Sequence, residues 1–457
     1  MLQTFKNAWK VQELRKKILF TLMIILLYRI GAVLFVPFVD VSQVDSISSH
    51  YSGNIFQFVS LLSGEAFGKG TFFALSVSPY ITASIVMQLL TIAIPALERL
   101  SKEGEEGKKK IATYTRWCTV ILSLLTAYGY VELLNSYGAL VVSKSTGGAF
   151  YYFQLAVMVL CLCAGASLVM WLAEKINDHG IGNGISIILF ANIISSASTE
   201  LQNMISMLKQ SIPINLNGTT TYYELGWAQG WDLAFGIIKI VLSVVAALAA
   251  IVLIIWFTNS ERRIPIQYAK RVVGRKMYGG QSSNLPLKMN MAGVMPVIFA
   301  SSIVSLPATI ASFFSGSGFA NWVNKWLGYT SPIYIALFLI LIFAFSYFYI
   351  AISFNPIEVS NNIRSNGGSI PGIRPGKPTS DYIKKVLGRV TLVGAVFLGV
   401  IAGVPMIANA LFTAFSFNFT TIAFTGTSLL IVVGVALETV RELEAQLSMR
   451  NYKGFLD

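Results

Sequence analysis

Apolar runs, each about as long as a helix crossing a bilayer, alternate with short charged stretches over nearly the whole chain. A spanning helix needs about 20 mostly apolar residues. Ten stretches meet that length: 18–38, 72–94, 117–134, 151–172, 184–200, 233–257, 291–314, 333–354, 386–409 and 418–437. The fifth has the shortest apolar core. An even number of spans puts both chain ends on one side. Between the first two, residues 54–71 (NIFQFVSLLSGEAFGKGT) are apolar, too short to cross, and end in Gly64, Gly68 and Gly70. That segment reads either as an external loop or as a re-entrant piece, which must be screened by protein or line a watery cavity.

Composition agrees with the pattern. Of the 457 residues 54% are hydrophobic and only 12% charged, against about 25% charged in a soluble domain, and mean hydropathy is +0.65. A water-soluble fold of this make-up would expose large apolar patches. The net charge is +13, and its placement is informative. The two tails and the stretches 95–116, 173–183, 258–290 and 355–389 hold 28 of the 34 Lys and Arg. The opposite side has only Lys69, Lys144, Lys209 and Lys325, and the excess marks the basic side as cytoplasmic. The N-terminal run is too long for a secretory signal and lacks a small-residue cleavage site, so it reads as a first span. Cys118, Cys161 and Cys163 show no paired spacing, and His50 and His179 are far apart, so no metal site or cofactor is expected.

Spans two and seven hold equivalent places in two five-span halves. Each has a proline followed two residues later by isoleucine, in SPYI (78–81) and MPVI (295–298). Proline removes a helix hydrogen bond, and paired interruptions at matching positions point to a site between inverted repeats. Such pairing also suits a secondary transporter, but ion coupling needs ionisable groups at membrane depth. No Asp or Glu lies in the middle of any span. Arg29, just past the middle of span one, either snorkels towards the headgroups or faces the bundle interior. Lys239 is close enough to its span end to snorkel. The stretches GEEGKKK and GIRPGKP lack P-loop spacing, and Pro378 stands where Ser or Thr is required.

Two basic loops exceed what orientation needs. In 258–290, RIPIQYAKRVV alternates like a strand and is followed by a glycine-bearing stretch that allows a return, predicting a protruding hairpin. In 355–385, prolines and glycines surround Arg374 in PGIRPGKP, where a stiff irregular backbone would present the arginine. Such loops suit RNA phosphates, acidic proteins or anionic lipid.

Seven ordered stretches make the chain recognisable: SPYITASIVMQLL (78–90), EGEEGKKKIATYTRW (103–117), GIGNGISIILF (180–190), RRIPIQYAKR (262–271), NMAGVMPVIFASSI (290–303), GIRPGKPT (372–379) and GTSLLIVVGVALE (426–438). Together they closely resemble the SecY family of bacterial protein-translocation channel subunits, from span one to the C-terminal tail without large insertions.

The resemblance implies an all-α integral membrane protein of ten helices. Two inverted five-helix halves would enclose an hourglass pore in the bacterial plasma membrane. Residues 1–17 would be a cytoplasmic tail, 18–200 the first half, 201–232 an external connection, 233–437 the second half and 438–457 a cytoplasmic tail. It carries a pore ring onto Ile81, Ile85, Ile185, Leu189, Met295, Ile298 and Ile431, with Leu189 and Met295 departing mildly from the family's isoleucine. Taken singly, each of these reads as an ordinary packing residue. A re-entrant plug helix, about 58–71, would use Phe58, Leu61, Leu62, Ser63, Gly64, Phe67 and Gly68. Arg262, Arg263, Lys270, Arg271, Arg374 and Lys377 would dock the SecA ATPase or the ribosome. The small membrane subunits SecE and SecG, membrane lipids, the unfolded preprotein and its signal peptide complete the implied partners. The chain itself would have no catalytic residue and no cofactor. An accessory paralogue serving few substrates would look the same. An aliphatic collar suits the task, because it offers no fixed hydrogen bond to any one sequence and dewets when empty.

Overall fold

A computed structural model describes residues 2–40, 60, 63–136, 138–142, 148–206, 209–216, 219–227, 231–268, 271–273, 276–278, 282–312, 317–328, 331–414 and 426–453. In its first half these residues form helices α1 (Leu2–Lys10), α2 (Gln12–Val33), α3 (Ser78–Ala93), α4 (Pro95–Lys102), α5 (Glu105–Ser136), α6 (Gly148–His179) and α7 (Gly184–Ser206). The second half contains α8 (Trp231–Asn259), α9 (Met295–Ser312), α10 (Gly318–Trp326), α11 (Pro332–Ser353), α12 (Pro356–Ser365), α13 (Lys377–Ala414) and α14 (Gly426–Lys453). Each of the ten predicted apolar stretches overlaps one of these helices. Five described helices are long and apolar enough to cross a membrane, or six when α3 and α4 count as one bent span.

Within each half neighbouring helices pack as sequence neighbours: α5 lies on α6 and α3, and α13 on α11 and α14. The halves meet along a seam where α9 packs on α3 and α5, and α14 on α7. One hydrophobic cluster runs through that seam, from Tyr28 and Phe73 through Ile85 and Leu189 to Ile298, Phe338 and Ile431. Residues facing away from it remain exposed along α8, from Val241 to Trp256, because lipid and not protein covers an apolar spanning face.

The paired prolines do not interrupt helices as the sequence suggests. Pro79 is the second residue of α3 and Pro296 the second of α9. The first N–H groups of a helix have no intrahelical acceptor, so proline is tolerated there and presets φ. Both helices therefore start at the proline, and the isoleucine two residues on lies in the first turn. The helix of span one also stops at Val33, short of the predicted 38. The chain then runs extended, its Val36 N–H donating to Gly70 O (3.1 Å), and Phe72 N–H to Leu34 O (2.7 Å). A sharp bend of 101° separates α3 from α4. It falls at Ile94, held extended before Pro95 because the proline ring disfavours helical backbone in its predecessor.

Small sheets decorate the helical body. Strands β1 (Lys209–Leu216) and β2 (Thr219–Trp227) form an antiparallel hairpin in the connection between halves. On the other side lie β3 (Glu261–Tyr268), β4 (Arg271–Val273), β5 (Lys276–Tyr278), β6 (Ser282–Lys288) and β7 (Gly368–Ser369). The predicted hairpin in 258–290 is the pair β3–β6, with Arg262 opposite Leu287 and Ile264 opposite Leu285.

Candidate functional site

At the waist, Ile81, Leu189, Ile298 and Ile431 come from α3, α7, α9 and α14, two from each half. All four are buried, and they converge on a void of about 30 Å³. That is room for a water or two, not for a polypeptide, so the passage is shut. Ile85, Ile185 and Met295 pack in the same cluster without lining the void. By helix direction each lies about one turn from its ring neighbour, towards the end that carries the long loops. The seven predicted residues thus come together as two stacked tiers. The i to i+4 spacing of Ile81 and Ile85, and of Ile185 and Leu189, keeps each pair on one face.

On the other side of the ring the void is lined by serines: Ser63, Ser76, Ser78, Ser301, Ser302 and Ser305. Sequence reasoning missed them, although FASSIVSL and LSVSPY display them. Ser301 and Ser302 donate to Ile298 O (2.8 and 2.9 Å), and Ser305 to Ser302 O (2.8 Å). These hydroxyls are satisfied by their own helix, which leaves a wettable wall without strong fixed donors.

Of the predicted plug, Phe58, Leu61 and Leu62 lie outside the described residues. Ser63, Gly64, Phe67 and Gly68 run through consecutive turns that lead to α3. Ser63 Oγ donates to Ser60 O (2.9 Å) and accepts from Phe67 N–H (3.0 Å). Phe67 is buried against the Tyr130 ring at 4.6 Å, and Tyr130 donates its hydroxyl to Phe67 O.

A polar chain ties this segment to both neighbouring spans. Arg29 in α2 donates to Ala191 O and to Asn192 Oδ1 (3.2 Å) in α7. Asn192 Nδ2 donates to Ser76 Oγ (3.1 Å), which also shares a hydrogen bond with Tyr28 OH (3.1 Å). Asn192 and Tyr28 are fully buried, and Tyr28 stacks on Phe73 at 5.3 Å. Gly64 closes over the chain in left-handed backbone (φ +64°), where a Cβ would stand 2.9 Å from the Arg29 guanidinium. Of the two orientations open to Arg29 in the sequence, the structure takes the interior one. The lone amide of AsnIleIle inside an apolar run was the only hint of its acceptor.

Four of the six predicted docking residues gather on one platform. Strand β3 sits between β6 and β7, so the loops after α8 and α11 share one three-stranded sheet, with Tyr268 opposite Gly368. Ile264, Ile266, Leu287, Ile363, Ile370 and Ile383 form its private core. Arg262, Arg263, Arg374 and Lys377 are exposed on it. Lys270 lies outside the described residues, and Arg271 pairs with Tyr278 in the β4–β5 register. PGIRPGKP is held at three points: Ile373 N–H on Ile370 O (3.0 Å), Thr379 Oγ1 on Arg374 O (2.8 Å) and Ser360 Oγ on Gly376 O (2.8 Å). At the platform's base Arg441 donates to Thr258 O (2.9 Å) and Asn259 Oδ1 (2.8 Å), a cation on the C-terminus of α8.

Comparison with known proteins agrees with this geometry. The SecY family model matches residues 71–440. The protein translocase subunit SecY of Streptomyces coelicolor is 46% identical over 464 residues, covering all of both chains. A solved structure described as a protein-conducting channel superposes with a TM-score of 0.61 at 17% identity, covering 94% of this chain and 92% of the other. Sec61 in the canine ribosome–channel complex from the endoplasmic reticulum gives 0.58 at 16% identity, with coverage of 94% and 92%. The likeness to these structures is one of fold, and full-length identity supplies the rest: the chain belongs to the SecY family, the protein-conducting channel subunits of the Sec translocase.

Proposed function

We propose that this multi-pass membrane protein threads unfolded secretory polypeptides through the Ile81–Leu189–Ile298–Ile431 ring of the bacterial plasma membrane. Apolar segments would leave sideways into lipid between α3–α5 and α9–α11. The observation that carries the reading is the meeting of four aliphatic side chains, from four helices of two halves, around a void of about 30 Å³. A seam between packed halves can part without breaking either core, and the ring then opens with it. Residues 63–76, hydrogen-bonded to α2 and α7 beside the serine-lined wall, act as the plug.

Both termini and the β3–β6–β7 platform face the cytoplasm, which the concentration of 28 of 34 basic residues on that side supports. The platform receives the SecA ATPase or the ribosome through Arg262, Arg263, Arg374 and Lys377, with Lys270 and Arg271 of the same loop as further contacts. SecE clamps the two halves from outside, and SecG joins it. The family resemblance and the ribosome complex of the Sec61 neighbour support these partners. Neither a solute transporter nor a dedicated paralogue gains support from any observation. Reconstituted liposomes provide the test: preprotein import should require SecA and ATP. Solute flux without them, or a stalled preprotein that never cross-links to cysteines placed at positions 81 and 298, would refute the reading.

A further inference from the structure

Just before α3 the chain runs from Thr71 to Val77 through turns, with Thr71, Phe73, Ala74 and Val77 buried in the bundle. Irregular backbone at membrane depth needs protein around it, and two glycines let two helices come that close. A Cβ on Gly31 of α2 would stand 2.1 Å from Cε2 of the Phe73 ring. A Cβ on Gly165 of α6 would stand 2.1 Å from the carbonyl oxygen of Phe72. Non-bonded carbon contacts settle at about 3.5–4.0 Å, so neither position has room for a side chain. We propose that Gly31 and Gly165 are positioning residues for the shut passage: two notches that seat residues 71–77 and, through them, set Ile81 in the ring. The inference rests on the ring reading and adds how one of the four ring members is placed.

The seat is tight at both residues. Phe72 N–H donates to Leu34 O (2.7 Å), and Phe35 pairs with Thr71 in an antiparallel bridge. The Phe73 ring stacks on Tyr28 at 5.3 Å and 14°. That ring cannot turn away from position 31 without losing the stack, and Phe72 O belongs to the main chain and cannot move alone. The seated stretch then leads directly to the waist. Leu75 and Ser76 line the same void as Ile81. Ser78 N–H donates to Leu75 O (3.2 Å) and Ile81 N–H to Val77 O (3.0 Å), so the stretch fixes where α3 begins. A displacement at Phe72 or Phe73 therefore reaches Ile81 through backbone.

Anion efflux per inserted channel, from vesicles holding the full-length protein, tests this. Gly31→Ala and Gly165→Ala should each raise the leak several-fold. Phe73→Leu removes the ring that a Cβ at position 31 would strike, so adding it to Gly31→Ala should lower the leak again. The same Phe73→Leu should bring Gly165→Ala no relief, because the obstacle there is a main-chain oxygen. A general loosening of the fold would not show that pairing, which is the coupling expected of residues in contact. If Gly31→Ala fails to insert, the double variant decides alone: a sealed channel supports the notch and a leaking one overturns it. Wild-type sealing by either glycine variant, or equal relief of both by Phe73→Leu, would also overturn the proposal. Ile81→Ser keeps the two readings apart. If it leaks while Gly31→Ala stays sealed, only the seating fails; if it stays sealed as well, the ring reading fails.

Discussion

Arg29 and Asn192 stand 3.2 Å apart, guanidinium to amide oxygen, across the interface of the first and fifth spans. Asn192 passes the connection on to Ser76 at 3.1 Å, so a charge in one span is joined to the segment that precedes the ring. This chain of bonds holds residues 63–76 against the wall of the passage. Asn192→Leu keeps roughly the volume and deletes both bonds. Leaving a buried donor unpaired costs about 1–3 kcal/mol, enough to populate open states. Conductance of the reconstituted channel in planar bilayers should show more frequent openings, and an unchanged record would remove Asn192 from the closure.

The ring itself is tested by polarity at constant fold. Ile81→Ser and Ile431→Ser introduce hydroxyls where a dewetted collar is required. Both should leak ions and accept defective signal sequences, whereas Ile298→Val, costing about 0.5–1.5 kcal/mol, should keep the seal. Anion efflux from vesicles separates these outcomes.

Arg374 is exposed, and only its backbone takes part in the hydrogen bonds that shape its loop. Arg374→Glu should therefore leave membrane insertion and thermal stability intact while abolishing SecA-driven export. Export at the wild-type rate would deny it a docking role.

The shared sheet predicts that damage to one loop disables the other. Ile266 is buried between strands from both loops, close to Gly368. Ile266→Asp places an unpaired charge in that core, which costs several kcal/mol. Limited proteolysis should then cut near Arg374 as well as within 261–288, although Arg374 is untouched. Cleavage confined to the mutated loop would mean that the two fold separately.

Lys288 makes the platform's base sensitive to pH. Partial burial holds its ammonium below the usual lysine range, helped by the Arg441 charge and opposed by Glu261 and Glu438. With the folded value depressed, the unfolded chain binds more protons at pH values between it and about 10.4. Stability of this junction should rise with pH through that window. Lys288→Met should flatten the rise when melting is followed from about pH 8 to pH 10, and an identical slope in the variant would discard the assignment.

The membrane class and the mostly helical fold were legible because each rests on local composition. Twenty apolar residues in a row have few options. The clustering of the seven predicted ring residues could be anticipated only through motif matches, since an isoleucine facing a pore and one facing lipid look alike in sequence. The prolines were misplaced for a related reason: whether a proline breaks a helix or begins one depends on where the preceding turn lies.

By itself, then, the sequence determined what kind of solvent each segment seeks and how long its helices can be. Only the tertiary structure decided which atoms meet across the bundle: Arg29 with Asn192, the β3 strand with β7, four aliphatic side chains around one void. Burial drives segments together without naming partners, because the hydrophobic effect has no direction. Hydrogen bonds and close packing name them, and those form only once distant parts of the chain share the same few ångströms.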